Sequence, residues 1–467
     1  MRLSGKCRGA LPRRFSVGLV GVVLAGSLGV AWAIHAPQRA SAAQQPVRVD
    51  VERSQPSGRS ELVVGVTHTQ NSVDSWGDAD AVQRGRQLLA GLGGLHNQHI
   101  YGWGARNPNP QPGTYDWRSL DRRVEAQRTL GGQQVITLCC APDWMTPKGT
   151  HSSDYPNVPP TPGNYGEFAA LAARIARRYP HVKHYAVWNE FKGFWDRAAN
   201  NWDYRAYTDL YNHVWRALKD VDPSIQVGGP YLVIEGTGSR RMGKIGYASA
   251  EPLTRRNKQA LRHWLEHKLG ADFLAVDRKT VAGSHDRNRY TPAQYFELTR
   301  WFGSVSRSLR AETTLPIWYM EDYFVNAGGG AFQAAGLASM LAEHVRSGVA
   351  VSLRWGPQGQ AGARPSPNKQ SLFSDTRYSD GGRPYPAYLA YWAVQRHFGR
   401  GTLLYGTTSS SPLVDALASR THVLLVNRSP SAVEVRVQGR RELVELAGYG
   451  VALVDGRSRI QPAFSRR

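Results

Sequence analysis

Short apolar runs alternate with longer amphipathic runs from residue 61 to residue 397, and this alternation constrains the fold of the 467-residue chain more than any other feature. The apolar runs have the length and composition of buried strands, and the amphipathic runs have the period of helices. The predicted strands are residues 61–67, 98–103, 134–139, 181–189, 225–229, 272–277, 315–321 and 349–355. The predicted helices are residues 80–92, 116–130, 164–178, 203–221, 256–269, 292–309, 330–346 and 385–397.

Strands that alternate with helices pair in parallel through right-handed crossovers. Eight such units over roughly 340 residues fit a closed barrel. We therefore predict an α/β fold, a (β/α)8 TIM barrel at residues 61–398. A doubly wound open sheet is the alternative, but it usually carries a glycine-rich phosphate loop after its first strand. The corresponding run here, Thr67-His68-Thr69-Gln70, is not such a loop.

The sequence pattern changes after residue 400, where the predicted strands are short and turn residues separate them. This pattern predicts a small C-terminal antiparallel β-sandwich at residues 399–467. Residues 43–60 are predicted to be a linker that contains one alternating strand at 47–52, which joins the sandwich. The predicted sandwich strands are residues 402–405, 413–417, 422–426, 433–437, 442–445 and 451–454.

The N-terminus has the order of a targeting segment: basic residues, an apolar run at 15–34 and the small residues Ala40-Ser41-Ala42. We predict a signal peptide at residues 1–42, so that the mature protein is secreted or extracytoplasmic. The apolar run is also long enough to cross a bilayer, and an N-terminal membrane anchor with the protein facing outside is the alternative.

The formal net charge is +22, and six of the positive charges lie in residues 1–42, which leaves +16 for the rest. Such a charge indicates anionic surroundings. For an exported protein these are an acidic glycan or an acidic envelope, and nucleic acid is not an expected partner. Solubility, or a composition biased toward arginine, is the competing explanation.

Only Cys139 and Cys140 remain after the cysteine of the targeting segment. Neighbouring side chains on a strand point to opposite faces, so a disulfide between these two cysteines is not expected. No Cys/His spacing predicts zinc, and the sequence implies no metal and no organic cofactor.

Two glutamates stand at the ends of predicted barrel strands, where such barrels place their active sites. Glu190 ends the fourth strand and Glu321 ends the seventh, so the two carboxylates can face each other across the mouth. Most glycoside hydrolases use a pair of carboxylates. When the two are roughly 5–5.5 Å apart, the second acts as a nucleophile and the reaction retains the anomeric configuration. Aromatic neighbours predict a raised pKa for Glu190, which suits a general acid. The alternatives are a Glu190 that faces water and a Glu321 paired to an arginine, with Glu312 and Asp322 as rival carboxylates.

Motifs around both glutamates resemble a known group of enzymes. They are Trp188-Asn189-Glu190, the run 316–321, the run 112–117 with Leu120-Asp121, the run 142–145 and Trp355. Together they resemble clan A glycoside hydrolases and, within them, glycoside hydrolase family 39, which holds β-xylosidases and α-L-iduronidases. The likeness covers roughly residues 61–455. It implies that Glu190 is the acid/base, that Glu321 is the nucleophile and that Asn189 contacts the sugar 2-hydroxyl. The predicted substrate-binding residues at the other strand ends are His68, Trp103, Trp144, Asp277, Lys279, Arg354 and Trp355.

One position departs from the family pattern. Asp277 stands where the family usually has a histidine, and a third carboxylate near Glu321 raises a carboxyl pKa unless a base offsets it. The run Asp277-Arg278-Lys279 still resembles the His-Arg-Lys run of the iduronidase branch, in which the lysine meets a uronate carboxylate. Lys279, helped by Arg354, is therefore predicted to bind an acidic sugar. A surface lysine and a neutral pentoside substrate are the alternative.

These features predict a retaining glycoside hydrolase that acts on a polysaccharide or oligosaccharide, either β-xylosidase-like or iduronidase-like. Its predicted partner is a carbohydrate, either a neutral or an acidic glycan. A non-catalytic glycan-binding barrel held at an anionic cell envelope is one alternative, and a structural or adhesive exported protein is another. Both carboxylates and Asn189 are present, which favours the enzyme.

Overall fold

The structure, a computed structural model, describes residues 45–70, 72–147, 158–234, 251–280, 290–324, 329–358 and 371–455. The predicted signal peptide or anchor at 1–42 lies outside these residues, as does the end of the predicted sandwich at 456–467. Within the described ranges, every helix is too short or too polar to cross a membrane.

The strands are named in chain order. They are β1 (Val47–Glu52), β2 (Gly58–Arg59), β3 (Val63–Thr67), β4 (Leu95–His99), β5 (Gln133–Leu138), β6 (His184–Val187), β7 (Trp195–Asp196), β8 (Asn201–Trp202), β9 (Gln226–Val233), β10 (Phe273–Lys279), β11 (Ile317–Tyr323), β12 (Val351–Trp355), β13 (Leu403–Ser409), β14 (Val414–Ser419), β15 (His422–Asn427), β16 (Val433–Val437), β17 (Val444–Leu446) and β18 (Val451–Asp455). The helices are α1 (Ala79–Leu92), α2 (Arg118–Arg128), α3 (Tyr165–Arg178), α4 (Tyr204–Val221), α5 (Arg255–His267), α6 (Pro292–Arg310), α7 (Gly330–Arg346) and α8 (Pro386–Phe398).

Strands β3, β4, β5, β6, β9, β10, β11 and β12 form a closed barrel in that order, and β12 pairs with β3 to close it. All of these pairings are parallel. The prediction of a (β/α)8 barrel is confirmed. Most of these strands are apolar on both faces because side chains such as Phe273 and Trp318 fill the interior while the opposite face packs against helices.

Two barrel strands differ from their predicted bounds. Strand β4 is Leu95–His99 and not residues 98–103, because its sequence is mostly polar and escapes a search for apolar runs. The side-chain amide of Asn97 is hydrogen-bonded inside the barrel. Its Nδ2 donates to Thr67 Oγ1 at 3.1 Å, and its Oδ1 accepts from Thr137 Oγ1 at 2.8 Å. Strand β9 extends to Val233, four residues beyond its predicted end at 229.

The C-terminal strands form a separate and mostly antiparallel sheet in the order β17-β16-β1-β13-β14-β15-β18, with β2 added beside β13. Strand β1 lies between β13 and β16 and pairs antiparallel with the first and parallel with the second. One apolar face makes a core of its own around Val49, Leu425 and Val435. The sheet also packs against the barrel helices, where Tyr449 meets Phe296 of α6 at 6.0 Å between ring centroids.

The expectation that Cys139 and Cys140 do not form a disulfide is wrong. Strand β5 ends at Leu138, so neither cysteine has the alternating geometry of a strand. The peptide bond between them is cis, the two Cα atoms are 2.9 Å apart, and the two sulfur atoms are bonded.

Candidate active site

Three carboxylates meet at the C-terminal end of the barrel. Glu190 lies three residues after the end of β6, Asp277 lies near the end of β10, and Glu321 lies opposite Asp277 in β11. One carboxylate oxygen of each residue lies within 4.8 Å of the others. Asp277 and Glu321 are each 5% exposed, and the Glu190 side chain is 13% exposed. The structure therefore brings together the two glutamates singled out in the sequence and the aspartate that departs from the family pattern.

The turn that carries Glu190 is held in an unusual backbone conformation. Trp188, Glu190 and Phe191 have φ angles of 66°, 52° and 55°, a region that residues other than glycine rarely adopt. Trp188 Nε1 donates to the Lys192 carbonyl at 2.8 Å, and Phe191 stacks on Tyr207 at 4.3 Å between ring centroids. Strained backbone of this kind persists where surrounding packing enforces it and is common at functional sites.

Glu321 is held by a tyrosine that the sequence reasoning did not single out. The Tyr231 hydroxyl donates to Glu321 Oε1 at 2.9 Å. Tyr231 is fully buried and lies in the part of β9 beyond its predicted end, with a φ of 53°. The only sequence signal was the apolar continuation of the run past Gly229-Pro230.

Asn189 is positioned by His99, a second residue that the sequence reasoning missed. His99 Nε2 lies 3.1 Å from Asn189 Oδ1, so the imidazole donates to the amide oxygen. Burial lowers the pKa of His99 to about 3, which keeps the ring neutral. The amide nitrogen of Asn189 then points toward Glu190, with Nδ2 3.5 Å from Glu190 Oε2.

Two lysines supply positive charge beside the carboxylates. Lys192 pairs with Glu190, and its ammonium lies 5.5 Å from the centroid of the Trp103 ring. The negative charges of Glu190 and Glu321 outweigh burial and raise the pKa of Lys192. Lys279, at the end of β10, favours the charged forms of all three carboxyls. The sequence reasoning identified Lys279 but not Lys192.

The three carboxyl groups have very different proton affinities. Burial, and then the charge of Glu190, raises the pKa of Glu321 to about 8 and that of Asp277 well above its ordinary value. Burial also favours protonated Glu190, but the hydrogen bond from Asp277 and the charge of Lys192 outweigh it, so the pKa of Glu190 is lowered. The prediction of a raised pKa for Glu190 is therefore wrong, because it considered the aromatic neighbours and not the lysine. The predicted effect of a third carboxylate near Glu321 matches the raised pKa values.

Two of the predicted tryptophans form a wall of the mouth. The rings of Trp103 and Trp355 meet edge to face at 5.6 Å between centroids, and His99 packs on Trp103 at 4.3 Å. Trp144 lies in the segment after β5 and donates through Nε1 to the Asn109 carbonyl at 3.0 Å. Among the described contacts, none joins Trp144 to the carboxylates.

His68 and Arg354 do not join the site, which corrects both predictions. Side chains alternate along a strand, and Leu353 and Trp355 face the interior and the mouth, so Arg354 faces the helix layer. There Arg354 is 1% exposed and donates to the Asp322 carbonyl at 3.3 Å. His68 is also 1% exposed, and its Nε2 lies 3.0 Å from His96 Nδ1.

Among the described residues, Glu190, Asp277 and Glu321 are the set whose spacing fits a metal ion. Lys192 and Lys279 already place two positive charges beside these carboxylates. The chemistry of the set is therefore that of a carboxylate cluster balanced by ammonium groups.

A closed barrel with carboxylates at its strand ends and an added antiparallel sheet is the fold of family 39-like clan A glycoside hydrolases. No protein-family model and no curated protein matches the sequence.

Several solved structures are similar to this chain. A monomeric beta-xylosidase from Caulobacter crescentus CB15 is 18% identical, with 84% of this chain and 83% of that chain covered and a TM-score of 0.56. The GH39 enzyme from Xanthomonas axonopodis pv. citri is 17% identical, with 86% and 83% covered and a TM-score of 0.55. A conserved exported protein from Bacteroides fragilis is 9% identical, with 87% and 99% covered and a TM-score of 0.61. At these identities the likeness concerns the fold.

Proposed function

We propose that this protein is a retaining glycoside hydrolase that uses Glu190 as general acid/base and Glu321 as nucleophile. The observation that carries the proposal is the separation of the two carboxylates, which have oxygen atoms within 4.8 Å of each other. Retaining enzymes hold their carboxyl groups roughly 5–5.5 Å apart, whereas inverting enzymes leave roughly 6.5–9.5 Å to admit a water molecule. The solved neighbours with the same fold include enzymes named as xylosidases and glucanases, which supports the same general chemistry.

In the proposed reaction, Glu321 attacks the anomeric carbon while Glu190 gives its proton to the departing glycosidic oxygen. Water then cleaves the glycosyl–Glu321 ester, and Glu190 takes a proton from that water. Tyr231 holds Glu321 Oε1 in place, and Asn189, oriented by His99, presents its amide to the sugar. Trp103 and Trp355 offer flat faces to the sugar ring.

The resting cluster places its protons differently from the form that reacts. Glu321 and Asp277 favour the protonated form, and Glu190 favours the ionised form. Three groups this close titrate as a unit. The reactive form, with Glu321 ionised and Glu190 protonated, has the same number of protons as the resting form. It is therefore reached by moving protons within the cluster: Asp277 gives its proton to Glu190 along their hydrogen bond and takes the proton that leaves Glu321.

The stereochemical outcome tests this proposal. We expect the first-formed sugar to keep its anomeric configuration, because the short carboxylate separation leaves no room for a water molecule between Glu321 and the sugar. Proton NMR of the product within the first minutes of reaction, before mutarotation, measures this directly. An inverted first product excludes the assignment, and no hydrolysis across a panel of aryl glycosides and polysaccharides leaves the non-catalytic glycan-binding barrel.

We further propose that the substrate carries negative charge in or beside the cleaved sugar. Lys279 lies close enough to the three carboxylates to affect all of them, so it also reaches the sugar that they contact. A charged pair in a cleft is stronger than one at an open surface. The large net positive charge of the chain is consistent with an acidic glycan outside the cytoplasm.

The variant Lys279→Ala separates acidic from neutral substrates. We expect it to lose roughly 1.5–3 kcal/mol of transition-state binding on a uronate glycoside and little on a neutral pentoside, from kcat/KM measured on both. Lys183→Ala, which removes a partly exposed lysine paired with Asp222 just before the start of β6, at the opposite end of the barrel, is the matched control and should change neither value. Equal losses on the two substrates argue for a general electrostatic role of Lys279 and against recognition of a carboxylate.

A further inference from the structure

A cavity of about 690 Å³ lies beside the mouth of the barrel, between the β7–β8 hairpin and the beginning of α5. This volume is in the range of small-molecule sites. Its lining includes Trp195, Trp202, Val233, Glu251, Arg255 and Arg256.

The cavity is connected to the segment that carries Glu190. The β7–β8 hairpin belongs to the loop that follows Glu190, and the Trp202 ring packs on Phe191 at 5.8 Å between centroids. On the other side, Val233 is the last residue of β9, and the next backbone N–H, of Ile234, donates to the Asp277 carbonyl at 2.8 Å. The cavity therefore adjoins the side of the mouth on which Glu190 stands.

Two tryptophans make a corner in this cavity. Their rings meet at 87° with centroids 5.0 Å apart. Trp195 is 39% exposed, which makes it one of the few exposed large apolar side chains among the described residues. An exposed indole in a concave polar site has the flat apolar surface on which a sugar ring packs.

The charge of the cavity is positive next to that corner. The Arg256 guanidinium is fixed 5.0 Å from the centroid of the Trp195 ring, and its Nε donates to the Asn200 carbonyl at 3.0 Å. Arg255 adds a second guanidinium. The acidic lining residue, Glu251, is paired with Lys258 at 3.4 Å. A sugar against Trp195 therefore has guanidinium groups within reach of its substituents.

We propose that this cavity is a leaving-group subsite, which binds an anionic sugar unit bearing a carboxylate or a sulfate. The proposal rests on the proposed function, since the acid of a double displacement stands beside the leaving oxygen and Glu190 is on this side. The sugar ring packs against Trp195 and Trp202, and its anionic group pairs with Arg255 and Arg256. Bidentate pairing of a guanidinium with a carboxylate or sulfate fixes the orientation of that unit.

Calorimetric titration of the full chain tests the subsite without requiring turnover. The probes are trigalacturonic acid for the carboxylate, a heparin-derived tetrasaccharide for the sulfate, and neutral xylotriose for comparison. We expect at least one acidic probe to bind more tightly than xylotriose. Arg255→Gln should weaken binding of that probe roughly 10-fold or more, the scale of one lost charged hydrogen bond.

Matched variants decide where the probe binds. Arg216→Gln removes an exposed arginine of α4 that does not line the cavity, and it should leave the affinity unchanged. Trp195→Ala should weaken acidic and neutral probes alike because it removes the packing surface. If Trp195→Ala disturbs the hairpin, Arg255→Gln at its exposed site remains informative.

The subsite is excluded if no acidic probe binds, or if Arg255→Gln and Arg216→Gln bind the acidic probe equally well. Failure of the proposed function has a different signature. The acidic probe then binds the wild type and loses affinity in Arg255→Gln, but no aryl glycoside is hydrolysed. Hydrolysis of aryl glycosides together with unchanged binding in both cavity variants excludes the subsite alone.

Discussion

Glu321→Gln is expected to abolish glycoside hydrolysis, with a loss of roughly 10,000-fold or more in kcat, because the covalent step has no other nucleophile in position. Asp277 also lies within 4.8 Å, but its carboxyl is hydrogen-bonded to Glu190, whereas Glu321 is the carboxyl that Tyr231 holds in place. The measurement is kcat on an aryl glycoside of the preferred sugar. Glu312→Gln is the matched control, since Glu312 pairs with Arg262 at 2.8 Å outside the site.

The same substitution has a signature in stability that separates loss of chemistry from loss of folding. The pKa of Glu321 is raised from an ordinary value of 4.5 to about 8 in the folded protein. The stability that this group contributes is therefore fully present below about pH 4.5 and is lost as the pH rises through 8. Glutamine does not ionise, so the Tm of Glu321→Gln minus the Tm of the wild type should increase from pH 5 to pH 9. A Tm difference that is the same at both pH values contradicts the buried, protonated Glu321 described above.

Glu190→Gln is expected to lose on the order of 100- to 10,000-fold in kcat/KM for a substrate with a poor leaving group, which needs protonation. A dinitrophenyl glycoside, whose leaving group departs as a stable anion, should recover much of the rate of the first step. An equal loss on good and poor leaving groups contradicts the role of Glu190 as the acid.

The pH dependence of the same variant reports on the cluster. The reactive form of the wild type has the same number of protons as the resting form, so kcat/KM should fall as the pH rises through about 8, where the cluster loses its next proton. The negative charge of Glu190 is, after burial, the largest cause of the raised pKa of Glu321. In Glu190→Gln that charge is gone and the dinitrophenyl group needs no proton, so kcat/KM on this substrate should instead rise with pH as Glu321 ionises, at a lower pH than in the wild type. A rise in the variant that comes only near pH 8 means that the two carboxyls do not interact, which contradicts their proximity.

The carboxylates themselves were predictable from the sequence because the barrel rule is topological. Parallel strands place their C-terminal ends on one edge, so Glu190 just after β6 and Glu321 in β11 had to share the mouth. Asp277 and Lys279 follow from the same rule. Tyr231 and His99 were not identified, since one lies beyond the predicted end of β9 and the other lies in a polar strand.

The face of the barrel toward which a side chain points, and the pKa of a carboxyl group, could not be predicted from the order of the strands. Arg354 and Trp355 are adjacent in β12, yet only Trp355 reaches the mouth, because neighbouring side chains point to opposite faces. The pKa of Glu190 depends on Lys192 and Asp277, whose distances are set by a tight turn and by a strand on the other side of β9.

The sequence alone determined the barrel, its strand order and the carboxylate pair, because eight apolar segments separated by helices have few ways to bury both faces of a sheet. Tertiary structure decided which residues act together. Bond formation between Cys139 and Cys140, the outward turn of His68 and Arg354, and the raised pKa of Glu321 all depend on through-space geometry of a few ångströms. Electrostatic energies and hydrogen bonds change steeply over such distances, and the order of residues along a chain does not specify them.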